Sequence, residues 1–145
     1  MSGRPRPAAV GGVNHLTFTV ADLDRSFAFY VETLGLTPLA RWARGAYLLA
    51  GNTWVCLHLG RPEPAAAADD THVAFDVTDA QFAALARRVT DGGAPIWQPN
   101  TSEGPSLYFR DPDGRKLEIH VGSWQSRLDA FAATPPEGYQ SFVDD

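Results

Sequence analysis

His15-Leu-Thr-Phe-Thr-Val20 decides the fold, because its pattern returns at His72-Val-Ala-Phe-Asp-Val77. In the first copy Leu16, Phe18 and Val20 fall on one face, and His15, Thr17 and Thr19 on the other. That alternation predicts a half-buried strand. One constant offset superposes His15 on His72, Phe18 on Phe75, Val20 on Val77, Asp22 on Asp79 and Gly35 on Gly92. Apolar matches alone could be shared strand periodicity, but the histidine and glycine matches argue for a duplication. After the first strand, Asp22 or Asp24 can cap a helix carrying Phe27, Tyr30, Val31 and Leu34, stopped by Gly35. Strands follow near Thr37–Arg44, Ala46–Ala50 and Thr53–Leu59, turning at Arg44-Gly45 and Gly51-Asn52. In the second copy a helix over Ala80–Val89 stops at Gly92-Gly93. Strands are expected at Ile96-Trp97, Leu107–Phe109 and Leu117–Val121. The fold class is therefore α+β: paired βαβββ units over 13–60 and 71–122, able to curl into a cup-shaped sheet. Residues 1–12 read as a disordered leader and 61–70 as a linker. Residues 123–145 read as a terminal helix (Gln125–Ala132) with a Pro-rich, acidic tail.

Composition agrees with one packed domain. The chain has 145 residues, 44% hydrophobic and 20% charged, which excludes global disorder. A net charge of −5 argues against a general nucleic-acid binder. No apolar run approaches the roughly 18 residues of a membrane span, and Met1–Val10 lacks the apolar segment of a secretory signal. Cys56 is the only cysteine, so no intramolecular disulfide forms, and a reducing cytoplasm fits.

Chemistry can reside in few places. His15 and His72 occupy the polar face of equivalent strands. Glu118 stands opposite Leu117, Ile119 and Val121 on the last strand. Two imidazoles and a carboxylate bind a divalent transition metal and leave positions open for substrate or water. Spacing alone is equally compatible with two strand histidines facing solvent; repeat equivalence favours the metal. His120 shares the face of Glu118 and is a competing ligand, whereas His58 reads as a lining or core residue. Asn100-Thr-Ser-Glu-Gly-Pro-Ser106 gathers enough oxygens to hold a hard cation, although a solvated turn is the plainer reading. Asp111-Pro-Asp-Gly114 is a structural turn signature, and Cys56, mid-strand, reads as a buried thiol rather than a nucleophile.

These residues, together with Arg41-Trp42, Gly45-Ala-Tyr-Leu48, Trp54-Val-Cys-Leu57, Tyr108-Phe109 and Ser126-Arg-Leu128, make the chain resemble a known family from about Val13 to Arg127. It is similar to the vicinal oxygen chelate superfamily, and within it to the glutathione-using fosfomycin resistance thiol transferases. The Trp-Val-Cys-Leu strand and the Ser-Glu-Gly loop are the specific signals; Asp-Pro-Asp-Gly is shared across the superfamily.

The resemblance implies metal ligation, usually of Mn²⁺, by His15, His72 and Glu118. It assigns Thr17, Ser102, Tyr108 and Arg127 to the phosphonate and epoxide region, Tyr47 to the incoming thiol, and Trp54 and Cys56 to the cavity wall. K⁺ is implied at Asn100, Ser102, Glu103, Gly104 and Ser106. It further implies a homodimer that exchanges units, so that His15 of one protomer faces His72 and Glu118 of its partner. The implied partners are fosfomycin or a related small molecule and glutathione or another low-mass thiol, giving cytoplasmic antibiotic resistance. Two positions depart from the family pattern. Gln98 stands where a lysine usually contacts the phosphonate, and Asp70 where a tyrosine is usual. Losing one charge-assisted hydrogen bond costs on the order of 1.5–3 kcal/mol, about ten- to a hundred-fold in affinity. Alternatives on the same scaffold are a related enzyme on another substrate or thiol, an epoxide hydrolase, and a metal-free protein that sequesters antibiotics. Gly45-Ala-Tyr-Leu48 supplies no carboxylate base for hydrolysis.

Overall fold

In the computed structural model, which describes residues 9–143, the alternation at His15 becomes strand β1 (His15–Val20), with Phe18 and Val20 buried. Residues 1–8 of the expected leader and 144–145 of the tail lie outside the described residues; 9–12 are exposed and irregular. Asp22 caps α1 (Leu23–Ala28), its carboxylate accepting from the Arg25 N–H at 3.0 Å. The helix then widens into one π-helical turn (Phe29–Thr33), which periodicity did not predict. Gly35, at φ +81°, lets the chain leave it. Strands β2 (Thr37–Trp42), β3 (Gly45–Ala50) and β4 (Thr53–Leu59) complete the first unit. Gly45 lies within β3 rather than at the turn: a Cβ there would meet the Leu57 carbonyl and the Trp42 ring, each at 2.7 Å. Close packing, not turn geometry, demands that glycine.

The second unit repeats the plan. It comprises β5 (Val73–Asp76), α2 (Asp79–Asp91), β6 (Ile96–Gln98), β7 (Ser106–Arg110) and β8 (Lys116–His120), followed by α3 (Trp124–Ala133). Ser123 caps α3 reciprocally with Ser126. The strand orders are β1-β4-β3-β2 and β5-β8-β7-β6, with β1–β4 and β5–β8 parallel and the other pairs antiparallel. This order places β1 and β5 at the sheet edges, with His15 on β1 and His72 directly before β5. The two sheets do not pair with each other. A cleft of about 780 Å³ runs between the β1 and β5 regions, lined by Leu16, Leu36, His72, Phe75 and Ile119 among others. No helix among the described residues is long and apolar enough to cross a membrane.

The units are held together at the β7–β8 turn, and Asp111-Pro-Asp-Gly114 proves to be the clasp. Buried Asp111 accepts from the Tyr30 hydroxyl at 2.5 Å and from Arg115 Nη1 at 2.6 Å. Arg115 Nη2 donates to the Thr19 carbonyl at 2.8 Å, and its guanidinium lies 4.6 Å over the Phe18 ring. Asp113 accepts from the Ala21 N–H, Arg25 and Ser26. Burial, and then the Asp111 charge, push the Tyr30 phenol well above its ordinary pKa. Burial alone would lower the Arg115 pKa, but Asp111 outweighs it and raises it. The apolar core around Leu48, Val55, Leu57, Phe109 and Leu117 provides most of the stabilisation, about 1.5–3 kcal/mol per large side chain. The polar clasp fixes the angle between the two halves.

The linker is not loose. The Ala65 N–H donates to the Gly114 carbonyl, and Arg110 donates to the Ala65 and Gly114 carbonyls. Lys116 donates to Ala66, Ala67 and Asp69 carbonyls. The linker thus belongs mechanically to the second unit.

Candidate metal centre

Register brings the chemical residues into matching rows. In the first sheet Cys56 pairs with Thr17 on one side and Tyr47 on the other; His15 pairs with Trp54. In the second sheet Glu118 pairs with Ala74 and Tyr108, and Tyr108 with Gln98. Position by position, Tyr47 corresponds to Tyr108 and Cys56 to Glu118. The duplication therefore carries two histidines but one carboxylate.

His72 stands just before β5 rather than within it. Its Nδ1 lies 2.6 Å from the Asp70 carbonyl, and its Nε2 lies 3.0 Å from Glu118 Oε1. A carbonyl only accepts, so Nδ1 carries a proton and donates it. In the neutral ring Nε2 then presents a lone pair to a carboxylate oxygen that is only 4% exposed as a residue. Two acceptors that close repel unless a positive charge lies on or between them. A proton supplies that charge in an imidazolium, and a divalent cation supplies it in the neutral pair. The donor set fits such a cation: one imidazole is oriented through its far nitrogen by a carbonyl, and one carboxylate is steadied on its other oxygen by Ser106 Oγ at 2.7 Å. Asp70 departs from the family pattern in its side chain, but the contact to His72 uses its carbonyl, which any residue supplies.

His15 repeats the orientation. Its Nδ1 lies 2.7 Å from Asn14 Oδ1, and its ring stacks on Trp54 at 4.5 Å. It belongs to the first sheet and is exposed. Among the described residues, no group of three metal-binding side chains gathers within one chain. His120 is engaged at both nitrogens, by Ser106 Oγ at 2.5 Å and Glu103 Oε1 at 3.1 Å. His58 is exposed on β4, so it is not a core residue.

The 100–106 loop closes on itself. Ser102 Oγ lies 2.7, 3.0 and 3.2 Å from Asn100 Oδ1, the Gly104 carbonyl and Ser106 Oγ. A single hydroxyl proton serves only one of these oxygens at a time, so the loop concentrates acceptors. A side chain at Gly104 would run into the Val121 carbonyl, which explains the glycine. Glu103 accepts from Arg127 Nε at 2.9 Å and from Ser126, tying α3 to the loop. Burial works against ionisation of Glu103, but its own backbone N–H, Arg127 and His120 hold its pKa at about 2.

Aromatic rings flank both histidines. Trp54, Tyr47 and Trp42 form an edge-to-face chain at 5.1 and 4.7 Å beside His15. Trp97 and Tyr108 do the same beside His72. Trp54 Nε1 is buried and has no partner among the described residues, leaving a donor in the wall beside His15. Cys56 is a buried free thiol, as expected. Pattern reading missed Ser106 as a support for Glu118, Arg115 as part of the clasp, and the placement of Lys116. These depend on contacts between distant strands, and only the shared face of Lys116, Glu118 and His120 hints at them.

The chain as a whole is similar to known proteins. Residues 12–119 match the Glyoxalase/Bleomycin resistance protein/Dioxygenase superfamily. The chain is 48% identical over 129 residues to the glutathione transferase FosA of Serratia marcescens, covering 87% of this chain and 92% of that protein. It is 36% identical over 135 residues to the metallothiol transferase FosB of Shouchella clausii, covering 88% and 92%. Its fold superposes on the crystal structure of the fosfomycin resistance protein FosX from Mesorhizobium loti with a TM-score of 0.71 at 32% identity, covering 83% and 99%.

Proposed function

The chain belongs to the glyoxalase/bleomycin resistance protein/dioxygenase superfamily, and from that membership and its paired rows we propose that it is a metal-dependent thiol transferase that opens the epoxide of fosfomycin with glutathione. The single observation that carries the metal is the His72–Glu118 pair, an imidazole nitrogen and a carboxylate oxygen 3.0 Å apart with the far imidazole nitrogen held by a carbonyl. The third ligand is His15. No three ligands gather within one chain among the described residues, and the family resemblance supplies the completion: His15 of one protomer joins His72 and Glu118 of its partner, with the units 13–60 and 71–122 as the exchanged halves of a homodimer. Three protein ligands leave positions open for substrate.

An ion held by these three residues, Mn²⁺ by resemblance, would supply a Lewis acid for the epoxide oxygen. The protein's own groups do the rest. Tyr47 holds the thiol; the thiol sulfur gives up a proton and forms the new C–S bond, the C–O bond breaks, and the freed oxygen ends protonated as the hydroxyl of the adduct. Thr17 and Tyr108 direct hydroxyls at the substrate oxygens, and Arg127 and Ser102 meet the phosphonate. Trp54 and Cys56 exclude water from the wall. Gln98, level with Tyr108, offers an amide where the family carries an ammonium. Converging oxygens at Asn100, Ser102, Gly104 and Ser106, with Glu103 beside them, fit K⁺, whose charge offsets the phosphonate. Hydrolysis instead of thiol transfer would need a carboxylate base near the substrate, and β3 carries none. A cytoplasmic site of action follows from the need for a low-mass thiol.

The test is ³¹P NMR of fosfomycin incubated with the protein, Mn²⁺, K⁺ and glutathione. A new resonance that requires the thiol and is lost in His72→Ala supports the reading. Bound metal without any thiol-dependent product would refute the proposed substrate pair. A diol formed without thiol would make the protein a hydrolase.

A further inference from the structure

Lys116 is the only lysine in the chain, and it is 2% exposed. Removing an ammonium from water is strongly unfavourable unless its donors are filled. Here its donors meet the carbonyls of Ala66 at 2.8 Å, Ala67 at 3.0 Å and Asp69, and its charge lies 4.9 Å from the centre of the Trp97 ring. No carboxylate pairs with it among the described residues. Such a cage is an expensive way to hold a surface linker, so its placement calls for a further reason.

Its neighbours supply one. The parallel register that pairs Val73 with Leu117 sets His72 level with Lys116. Two routes then join them. Lys116 fixes the turn that ends at Asp69, and the next carbonyl, of Asp70, receives the Nδ1 proton of His72. Lys116 also sits on Trp97, whose ring lies 5.2 Å from that of His72 and whose indole N–H is tied to the Leu117 carbonyl at 3.0 Å. We infer that Lys116 is a positioning residue for the metal site: by holding the 66–69 turn and the Trp97 ring, it sets the tautomer and orientation of His72. The inference rests on the reading of His72 as a metal ligand.

Electrostatics and positioning predict opposite signs, which makes the idea testable. A buried positive charge repels a bound dication, so removing it would tighten metal binding if charge were all that mattered. Loss of orientation weakens binding, about ten-fold or more when a supporting contact of a ligand is removed. The measurement is Mn²⁺ affinity of the full-length protein, read from the electron paramagnetic resonance signal of free Mn²⁺, with a thermal melt of each metal-free variant. Lys116→Met should bind Mn²⁺ at least about ten-fold more weakly. Lys116→Arg, which can still donate to carbonyls, should recover most of the affinity. Equal or tighter binding by Lys116→Met overturns the inference. Should that variant fail to fold, Ala66→Gly/Ala67→Gly loosens the exposed turn with Lys116 in place; it should also bind more weakly, and unchanged affinity overturns the inference. Failure of the wild-type protein to bind Mn²⁺ refutes the metal site itself, and the inference with it.

Discussion

Replacing Asp111 by asparagine probes the junction on which the relative placement of the two sheets depends. The substitution keeps size and shape but removes the charge from a buried side chain that accepts from Tyr30, from Arg115 Nη1 and from the backbone N–H groups of Asp113 and Arg115. Each hydrogen bond to a charged group contributes about 1.5–3 kcal/mol. An amide oxygen retains part of that acceptance, while the Arg115 charge loses its counterion; breaking a buried pair costs about 3–5 kcal/mol. The lower end, about 3 kcal/mol, is the expected loss. For a chain of this length that lowers the melting temperature by roughly 9 °C. Urea denaturation followed by circular dichroism, at fixed protomer concentration because dissociation of the proposed dimer would contribute, measures it. Tyr30→Phe, which removes one of these bonds, should cost about 1.5–3 kcal/mol, and the double variant should lose less than the sum. A loss for Asp111→Asn within about 0.5 kcal/mol of zero, the range of ordinary surface changes, would show that apolar packing alone joins the halves.

Restoring the family cation with Gln98→Lys should lower the apparent KM for fosfomycin about ten- to a hundred-fold, the equivalent of one charge-assisted bond, in an initial-rate assay of adduct formation. Cys56→Glu places a carboxylate at the counterpart of Glu118; metal should still bind, as read by elemental analysis after dialysis, while thiol transfer is lost because the open position is filled. Glu103 has a depressed pKa, so its contribution to stability is present above its unfolded value of 4.5 and is lost as pH falls toward about 2. Acid unfolding curves should show that limb in the wild-type protein and lack it in Glu103→Gln. Tyr30 behaves oppositely: its pKa is raised, so the stability it contributes is complete below its ordinary value of 10.0 and is lost as pH rises above it. Tyr30→Phe should flatten the alkaline limb of the same curves.

Much of this architecture was legible in residue order because a β period carries its own face assignment. Once His15 and His72 are placed opposite Leu16–Phe18–Val20 and Val73–Phe75–Val77, their polar faces follow without further information. The glycine stops at Gly35 and Gly93 were legible for the same local reason, since both adopt positive φ. What escaped is non-local. Nothing in Asp111-Pro-Asp-Gly114 reveals that its carboxylates reach Tyr30, Arg25 and Ser26, because that requires knowing where α1 lies. The π-helical turn escaped because Phe29, Tyr30 and Val31 suit an ordinary helix equally well; the wider turn shows only in its backbone bonding, where the Leu34 N–H donates to the Phe29 carbonyl. Pro62–Asp70 reads as a spacer by composition. Its fastening is supplied by Arg110, Gly114 and Lys116 on a distant hairpin.

The unequal rows also bear on how such a protein changes over time. A duplication begins with two identical halves. Here the second half carries an imidazole and a carboxylate, while the first carries an imidazole and, at the position corresponding to the carboxylate, a thiol within an aromatic wall. That is a division of labour. On the proposed reading, changes at Trp42, Tyr47 or Trp54 would retune the co-substrate while leaving untouched the carboxylate assigned to the ion. A new preference could then arise in one half of the gene without forfeiting the ligands housed in the other.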